Sequence, residues 1–267
     1  MTVDEALALA RQLGVERGDA QTLIGHLTGH DRAWLITHGD APAPGSEAAL
    51  CRLAAGEPLA HLTGWQPFHG LVLQVTPATL IPRPDTEAIV DWALELLEDL
   101  PGQPSVVDLG TGSGAIALAL KAACPRAQVM AVDFSADALA VARTNGERLG
   151  LSVDWRHGSW FEPLAGQRFG MIVSNPPYIA GDDPHLPALR HEPLTALTPG
   201  GDGLADLRAL IDAAPQHLSP GGWLLLEHGW DQADVVAQQL SARGFAAPAL
   251  RRDLAGRPRA SGARWPG

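Results

Sequence analysis

Residues 106–114 restrict the fold of this chain more than any other segment. They read VVDLGTGSG, an apolar run followed by three glycines in five residues, Gly110, Gly112 and Gly114. Glycine loses more backbone entropy on folding than any other residue, so such a cluster indicates a turn that must approach a ligand closely. A helical pattern follows the turn. The segment therefore predicts a buried strand, a tight turn and a helix.

Apolar runs typical of strands alternate with helical patterns from residue 102 onward. Strands are predicted at residues 105–109, 128–133, 152–156, 170–174 and 223–227. Helices are predicted at residues 115–123, 136–149 and 204–218, and the pattern continues through 234–243, 246–250 and a last edge strand in the tail. This alternation predicts an α/β fold: a doubly wound, mostly parallel sheet with an antiparallel edge strand.

The first sixty residues are helical in pattern instead. Apolar residues at helical spacing predict helices at residues 3–13, 19–27 and 32–37. A fourth helix is predicted to run from Ser46, as its N-cap, to Ala55. These short, closely spaced helices predict a small bundle.

A short segment joins the two patterns. Residues 71–75 are β-rich and predict a hairpin, and the prolines within 81–85 interrupt regular structure. Asp85 is then predicted to cap a helix through Leu97. We therefore expect three parts, namely a helical domain at 1–66, a hairpin and linker at 67–88, and an α/β domain at 89–267.

An acidic residue follows the glycine turn about twenty residues further along. Asp133 ends the second predicted strand, where a carboxylate can accept both hydroxyls of a ribose. Gly110, Gly112 and Ala115 also satisfy the dinucleotide pattern G-x-G-x-x-A. Asp108, two residues before the first glycine, favours a cofactor with a cationic, amino-acid-like end, such as S-adenosylmethionine, over a pyrophosphate. A dinucleotide site and a turn without a ligand remain the alternatives.

The polar turn Asn-Pro-Pro-Tyr follows the fourth predicted strand at residues 175–178. Ligands of open α/β sheets bind outside the carboxyl ends of the strands, so we expect this turn beside the cofactor. The side-chain oxygen of Asn175 and the carbonyl of Pro176 can accept the two N–H bonds of a primary amide or an aromatic amine. Pro177 stiffens the turn with Pro176, and Tyr178 offers a flat face to a planar group.

Such a turn suits transfer of a methyl group to nitrogen. An amide nitrogen is a poor nucleophile because its lone pair is delocalised. Two fixed acceptors would aim it at a methyl sulfonium and stabilise the positive charge that develops, so Asn175, Pro176 and Tyr178 are predicted as catalytic. By itself the turn fits an amide side chain and an exocyclic amino group of a nucleic-acid base equally well. A cofactor-binding module that only docks a partner is a third possibility.

The charge balance bears on the choice of substrate. The 267 residues carry a net charge of −11, and Lys121 is the only lysine. Proteins that grip long nucleic acids usually present a basic face, so a protein or small-molecule substrate is favoured. Cys51 and Cys124 are too few for a cysteine-rich metal site, and we expect no metal centre. The acidic start and the lack of a long apolar run predict a cytoplasmic protein without a membrane span.

Several motifs occur in the order in which one family has them. They are GEPLAHLTG at 56–64, LIPRPDTE at 80–87, the glycine turn, the Asn-Pro-Pro-Tyr segment, Glu192-Pro193, GDGL at 201–204 and LEHG at 226–229. Over nearly the whole chain the sequence resembles the release factor glutamine N5-methyltransferases, the HemK/PrmC family. Many amino-methyltransferases share Asn-Pro-Pro-Tyr, whereas the motifs at 56–64 and 80–87 are far more specific to this family.

The resemblance implies a class I methyltransferase sheet, S-adenosylmethionine as cofactor and bacterial class-I peptide chain release factors as partners. The substrate would be the glutamine of their Gly-Gly-Gln motif, and the N-terminal helical domain would help to dock them. By motif match, Asp133 holds the ribose, Trp160 lies against the adenine, and the cofactor is surrounded by Gly110, Thr111, Gly112, Ser113, Gly114 and Asn175. The glutamine side chain would be held by Asn175, Pro176, Pro177 and Tyr178.

The chain departs from the family pattern at two positions. Ser159 stands where the family usually has an acid that would contact the adenine, and His61 stands where a tyrosine is typical. Neither residue belongs to the methyl-transfer geometry predicted above. The roles of Arg83, Glu192 and His228 are left open by the sequence.

Overall fold

The computed structural model describes every residue from Met1 to Gly267, in two compact units, Met1–Trp65 and Gln66–Gly267. The first unit is helical, with α1 Val3–Gln12, α2 Arg17–Thr28, α3 Arg32–Thr37, α4 Ser46–Ala54 and α5 Leu59–Thr63. Its core contains fully buried leucine and isoleucine side chains from α2, α3 and α4. No helix in either unit has the length and apolar character to cross a bilayer.

Helix caps define where these first helices begin. Thr2 caps α1, because its hydroxyl accepts from the N–H of Glu5, whose carboxylate accepts in turn from the N–H of Thr2. The prediction that Ser46 caps the fourth helix is wrong. Gly45 takes the N-cap position with φ 77°, which glycine adopts without steric cost, and Ser46 is the first helical residue, with no hydrogen bond to its buried hydroxyl.

The predicted hairpin is present as β1 Trp65–Phe68 and β2 Leu71–Gln74. Asn145 connects its second strand to the glycine turn. The Oδ1 of Asn145 accepts from the N–H of Gln74 (2.7 Å), and its Nδ2 donates to the carbonyls of Gln74 (2.9 Å) and Ser113 (3.0 Å). Both polar atoms of this buried amide are therefore hydrogen-bonded, and together they hold the hairpin to the glycine turn.

The linker ends differently from the prediction. Asp85 does not cap a helix, because it lies inside a 3₁₀ turn, Pro84–Thr86, that precedes α6 Glu87–Glu98. Proline fits the first position of such a turn, which moves the helix start past Asp85. The carboxylate of Asp85 instead forms an ion pair with Arg259 (2.9 Å).

Seven strands of the second unit form one sheet in the order β5–β4–β3–β6–β7–β9–β8. The strands are β3 Ser105–Leu109, β4 Gln128–Asp133, β5 Asp154–His157, β6 Phe169–Ser174, β7 Leu218–Glu227, β8 Ala246–Arg252 and β9 Pro258–Arg264. The helices between them are α7 Ala115–Ala123, α8 Ala136–Leu149, α9 Ala205–His217 and α10 Ala233–Arg243. Pairing is parallel except where β9 meets β7 and β8, which confirms the predicted doubly wound α/β fold.

Successive residues of the central strand face opposite helical layers. Val106 packs into a cluster with Ile89 of α6 and Leu118 of α7. Val107 packs into a second cluster with Leu210 of α9. Burial of each such side chain contributes roughly 1.5–3 kcal/mol, so both faces of the sheet are anchored and its carboxyl ends are held in place.

The tail strand β9 occupies an inner position, and β8 forms the edge. The prediction of a tail strand at the edge is therefore corrected. Small residues explain the placement, since a Cβ on Gly262 would lie 2.6 Å from the ring of Trp92 and 2.4 Å from Leu225. A strand of this composition has no strong apolar pattern, although Ala260 is completely buried.

Candidate active site

The carboxyl ends of three neighbouring strands meet at one end of the sheet. β3 ends just before Gly110, β4 ends at Asp133, and β6 ends just before Asn175. The chain reverses its direction of winding between β3 and β6, and open sheets form a crevice at such a point. A cavity of about 440 Å³ opens there, lined by Gly110, Gly112, Asp133, Trp160, Asn175 and Pro177, together with Ala78, Thr79, Leu80, Phe134, Ser135, Ala138, Ser159, Pro193, Thr195, Ala196, Thr198, Pro199 and Asp206.

The glycine turn brings backbone to the cavity in place of side chains. Gly110, Gly112 and Gly114 have φ of 72°, 56° and 85°, a region that favours glycine. A Cβ on Gly110 would lie 3.2 Å from the ring of Trp160, and one on Gly114 would lie 3.1 Å from the ring of Trp155. Close packing therefore adds to the conformational reason for these glycines.

Five predicted site residues do not line the cavity. Thr111, Ser113 and Gly114 belong to the turn, where the two hydroxyl-bearing side chains are buried. Pro176 is buried next to the cavity wall, and Tyr178 lies beyond it. Direct contact of these five residues with ligands stays a prediction. In the structure they lie close to residues that line the cavity.

Asp108 is fully buried beneath the turn. Its Oδ2 accepts from the hydroxyl of Thr111 (2.6 Å) and from the N–H of Ala117 (3.2 Å), whereas its Oδ1 has no hydrogen-bond partner. Burial raises the pKa of Asp108 to about 7. Asp108 does not line the cavity, but a buried carboxylate oxygen without a donor beneath the turn suits a nearby cationic group, such as the amino-acid end of S-adenosylmethionine.

Asp108 predicts a pH dependence of stability in the cofactor-free protein. Its folded pKa is about 7, above the unfolded value, so its stabilising contribution is complete below about pH 4 and is lost as the pH rises through about 7. Between about pH 5 and about pH 8, we expect Asp108→Asn to lose less unfolding free energy than the wild type, by roughly 1–3 kcal/mol. Denaturant unfolding at both pH values measures this difference, and equal losses in the two proteins would contradict it.

Asp133 holds its carboxylate at the cavity through two backbone donors. The N–H of Gly112 donates to Oδ2 (2.8 Å), and the N–H of Ser135 donates to Oδ1 (2.9 Å). Burial raises the pKa of Asp133, while these two bonds oppose the shift. Each carboxylate oxygen keeps a further lone pair, so the group can accept two ribose hydroxyls.

Trp160 forms a wall of the cavity in a left-handed backbone conformation (φ 47°), which is uncommon for a bulky residue. Its side chain lies near the carboxylate of Asp206, which also lines the cavity. Burial raises the pKa of Asp206, and the side chain of Trp160 opposes the rise. Asp206 thus brings a carboxylate to the same cavity wall as Ser159.

The sequence prediction missed Asp206 and Phe134. Phe134 is 55% exposed and lines the cavity directly after Asp133, so its place next to the predicted ribose-binding acid was an available signal. Asp206 lies in the first turn of α9, far along the chain from Trp160. Only the fold brings these two together, and no local pattern marks the acid.

Asn175 presents its side chain to the cavity from the end of β6. Its Nδ2 donates to the hydroxyl oxygen of Thr86 (3.3 Å). The amide therefore has its nitrogen directed toward the linker, and its Oδ1 can accept from a ligand. Pro177 lines the same wall and limits the freedom of the turn.

Tyr178 is anchored behind this wall. Its hydroxyl donates to the Oε1 of Glu227 (3.2 Å), and its ring packs against the apolar cluster beneath α9. Burial raises the pKa of Glu227 to about 7, although the side chain of Thr86 and the charge of Arg259 act against the rise. Burial and the adjacent carboxylate raise the pKa of Tyr178 as well, so the phenol stays protonated and remains a donor.

Glu192, Arg83 and His228, whose roles the sequence leaves open, make bonds within the protein. Buried Glu192 accepts from the N–H of Ile81 (2.9 Å) and forms an ion pair with Arg83, which ties the linker to the segment before Pro193. His228 is hydrogen-bonded through Nε2 to the hydroxyl of Ser261 (2.8 Å). These side chains support the walls and do not line the cavity.

Gly203 lies against the backbone of the Asn-Pro-Pro-Tyr turn. A Cβ there would lie 2.3 Å from the carbonyl oxygen of Tyr178, and φ is 76°. We expect Gly203→Ala to lower the free energy of unfolding by about 2–4 kcal/mol, because it combines backbone strain with a steric clash. Gly166→Ala is the matched control, since Gly166 has the same φ of 76° and no atom within 4 Å of the added Cβ. Equal losses in the two variants, measured by chemical denaturation, would contradict the clash.

Comparisons with known proteins show the family of this chain. The family model for the methyltransferase small domain matches residues 87–229, and that for the PrmC N-terminal domain matches residues 5–64. The chain is 49% identical over 270 residues to a release factor glutamine methyltransferase of Xylella fastidiosa, covering 98% of each chain. It is 44% identical to the one of Escherichia coli K12, covering 90% of this chain and 89% of that protein.

Solved structures support the fold independently. A methyltransferase from Pyrococcus furiosus superimposes with a TM-score of 0.55 at 21% identity, over 83% of this chain and 98% of that one. The catalytic domain of human Mettl16, solved in complex with an RNA hairpin, gives a TM-score of 0.57 at 18% identity, over 74% and 76% of the two chains. At these identities the likeness establishes the methyltransferase fold and leaves the substrate to other evidence.

Proposed function

The chain belongs to the release factor glutamine methyltransferase family, and from this premise we propose that it methylates class-I peptide chain release factors. The methyl group passes from S-adenosylmethionine to the side-chain amide nitrogen (N5) of the glutamine in their Gly-Gly-Gln motif. One observation carries the proposal within the structure. A single cavity is lined both by Asp133, which suits a ribose, and by Asn175, which suits an amide.

The cofactor residues divide along the cavity. Asp133 accepts the ribose hydroxyls, and Asp108, buried beneath the turn, supplies negative charge near the cationic amino-acid end. Trp160 lies against the adenine, and Asp206 is placed to accept from its exocyclic amine in the role that Ser159 cannot fill. When bound, S-adenosylmethionine supplies an electrophilic methyl group on a sulfonium.

The residues of the Asn-Pro-Pro-Tyr turn prepare the nitrogen for attack. The Oδ1 of Asn175 and the carbonyl of Pro176 each accept one N–H of the glutamine amide, which fixes the direction of its lone pair. Positive charge develops on the nitrogen as the new bond forms, and both acceptors stabilise it. No base is needed before attack, because the nitrogen can lose a proton to water after the methyl group has been transferred.

Three parts of the chain have separate roles in this proposal. Residues 1–66 form the domain that docks the release factor, residues 67–88 form the hairpin and linker, and residues 89–267 hold the cofactor and the glutamine amide. The match of residues 5–64 to a domain named for this family supports the first assignment. A cytoplasmic location follows, since the substrate acts in translation there.

A methyl-transfer assay with labelled S-adenosylmethionine tests the proposal. Purified release factor, a release factor with the Gly-Gly-Gln glutamine changed to alanine, ribosomal RNA and duplex DNA are offered side by side. We expect label in the unchanged release factor alone. Label in nucleic acid with none in the release factor would overturn the proposed substrate and favour a base amine instead.

A further inference from the structure

The orientation of the Asn175 amide decides whether the site can hold a substrate amide. A primary amide has an oxygen and a nitrogen of similar shape, and only the oxygen accepts hydrogen bonds. With Nδ2 turned to the cavity, two N–H groups would face each other across the site. The structure has Nδ2 turned away, donating to the hydroxyl oxygen of Thr86 at 3.3 Å.

Thr86 is in turn oriented by its surroundings. It is buried at 4% exposure, at the end of the 3₁₀ turn of the linker. Its hydroxyl has one proton to donate, and its side chain interacts with the carboxylate of Glu227. Glu227 is 1% exposed, and its Oε2 has no hydrogen-bond partner, so this oxygen has the capacity to accept the proton of Thr86. An oxygen whose proton points at Glu227 presents its lone pairs to Asn175.

The same carboxylate holds the other end of the turn. The Oε1 of Glu227 accepts from the hydroxyl of Tyr178 (3.2 Å). Glu227 therefore holds Tyr178 directly, and its unpartnered Oε2 is available to Thr86, the residue that accepts from Asn175. These residues come from three segments far apart in sequence, namely the linker, the end of β6 and the end of β7.

We propose that Thr86, backed by Glu227, is a positioning residue for the methyl transfer: it binds the Nδ2 of Asn175 and so directs the Oδ1 of Asn175 to the glutamine N–H. This inference rests on the proposed function, because it concerns how the same site holds its amide substrate. It gives the linker motif at 80–87 an indirect part in the chemistry, through the orientation of Asn175. Thr86 itself touches neither the substrate nor the cofactor.

Three variants test the proposal through kcat, KM and cofactor binding. Thr86→Val keeps the shape of the side chain and removes the hydroxyl, and we expect kcat on release factor to fall about 10-fold, because the Oδ1 of Asn175 is then no longer held toward the glutamine N–H. The dissociation constant for S-adenosylmethionine should change less than about 2-fold, because Asp133 and Asp108 are untouched. Thr86→Ser restores the hydroxyl and should return kcat to within about 3-fold of the wild type. Thr144→Val makes the same change on the exposed face of α8 and should leave kcat unchanged.

A double-mutant cycle separates positioning from a general structural role. If Thr86 acts through Asn175, then Thr86→Val should change kcat less than about 2-fold in an Asn175→Ala background. A full effect in that background would overturn the proposal, as would wild-type kcat in Thr86→Val or no recovery in Thr86→Ser. Lack of methylation by the wild-type protein, measured in the same experiment, would instead overturn the proposed function itself. The two failures are therefore distinguishable.

Discussion

Asn175→Ala is expected to lower kcat for methylation of release factor by about 10²–10³-fold. The side-chain oxygen of Asn175 is one of two acceptors proposed to hold the glutamine amide, and its stabilising effect grows as the nitrogen gains positive charge. The loss should therefore appear mainly in kcat. Affinity for S-adenosylmethionine should change less than about 5-fold, since the glycine turn and Asp133 are intact.

Two measurements keep that result interpretable. Isothermal titration with S-adenosylmethionine shows whether the variant still binds cofactor, and thermal unfolding shows whether it is folded. The bond from Asn175 to Thr86 is long at 3.3 Å, so its loss should cost about 1 kcal/mol or less. A folded, cofactor-binding variant with undiminished kcat would remove Asn175 from the catalytic assignment.

Asp133→Ala is expected to weaken binding of S-adenosylmethionine by about 10²-fold or more. The proposed loss includes two hydrogen bonds from ribose hydroxyls to a charged acceptor, each worth about 1.5–3 kcal/mol. It also includes the bonds by which Asp133 fixes the N–H groups of Gly112 and Ser135. Titration calorimetry measures the dissociation constant, and kcat at saturating cofactor should fall much less.

Asp154→Ala is the matched control for this prediction. Asp154 is an exposed carboxylate on the adjacent strand β5, where its ion pair is with Arg156. We expect its removal to change the cofactor dissociation constant less than about 2-fold, because exposed ion pairs contribute little and the side chain does not line the cavity. Equal losses of affinity for S-adenosylmethionine in the two variants would contradict the assignment of Asp133 as the residue that binds the ribose.

Local patterns in the sequence predict the long helices and the central parallel strands of the second unit well. α7 and α8 begin and end at the predicted residues, because Gly114 and Ser135 mark their starts and the patterns between are long. The predictions that Ser46 and Asp85 cap helices are wrong for two different local reasons. In one case a glycine took the cap position, and in the other a 3₁₀ turn displaced the helix start.

Long-range placement could not be predicted in the same way. The inner position of β9 depends on small residues that pass beneath Trp92, and no apolar pattern reveals it. The wall of the site also depends on long-range contacts, because Thr86 and Asn175 are hydrogen-bonded although they lie 89 positions apart in the chain. The cavity residues that could be predicted are those at strand ends, such as Gly110 and Asp133. The supporting residues are visible only once the strands are ordered.

The position of the transferred methyl group tests the central proposal most directly. Release factor is incubated with this protein and S-adenosylmethionine carrying a deuterated methyl group, digested, and sequenced by tandem mass spectrometry. The site built from Asp133, Asn175 and Pro177 predicts the heavy methyl group on the side-chain nitrogen of the glutamine in Gly-Gly-Gln. A heavy methyl group on any other residue would contradict the proposal. So would the absence of a heavy methyl group from the release factor when the protein is folded and binds S-adenosylmethionine.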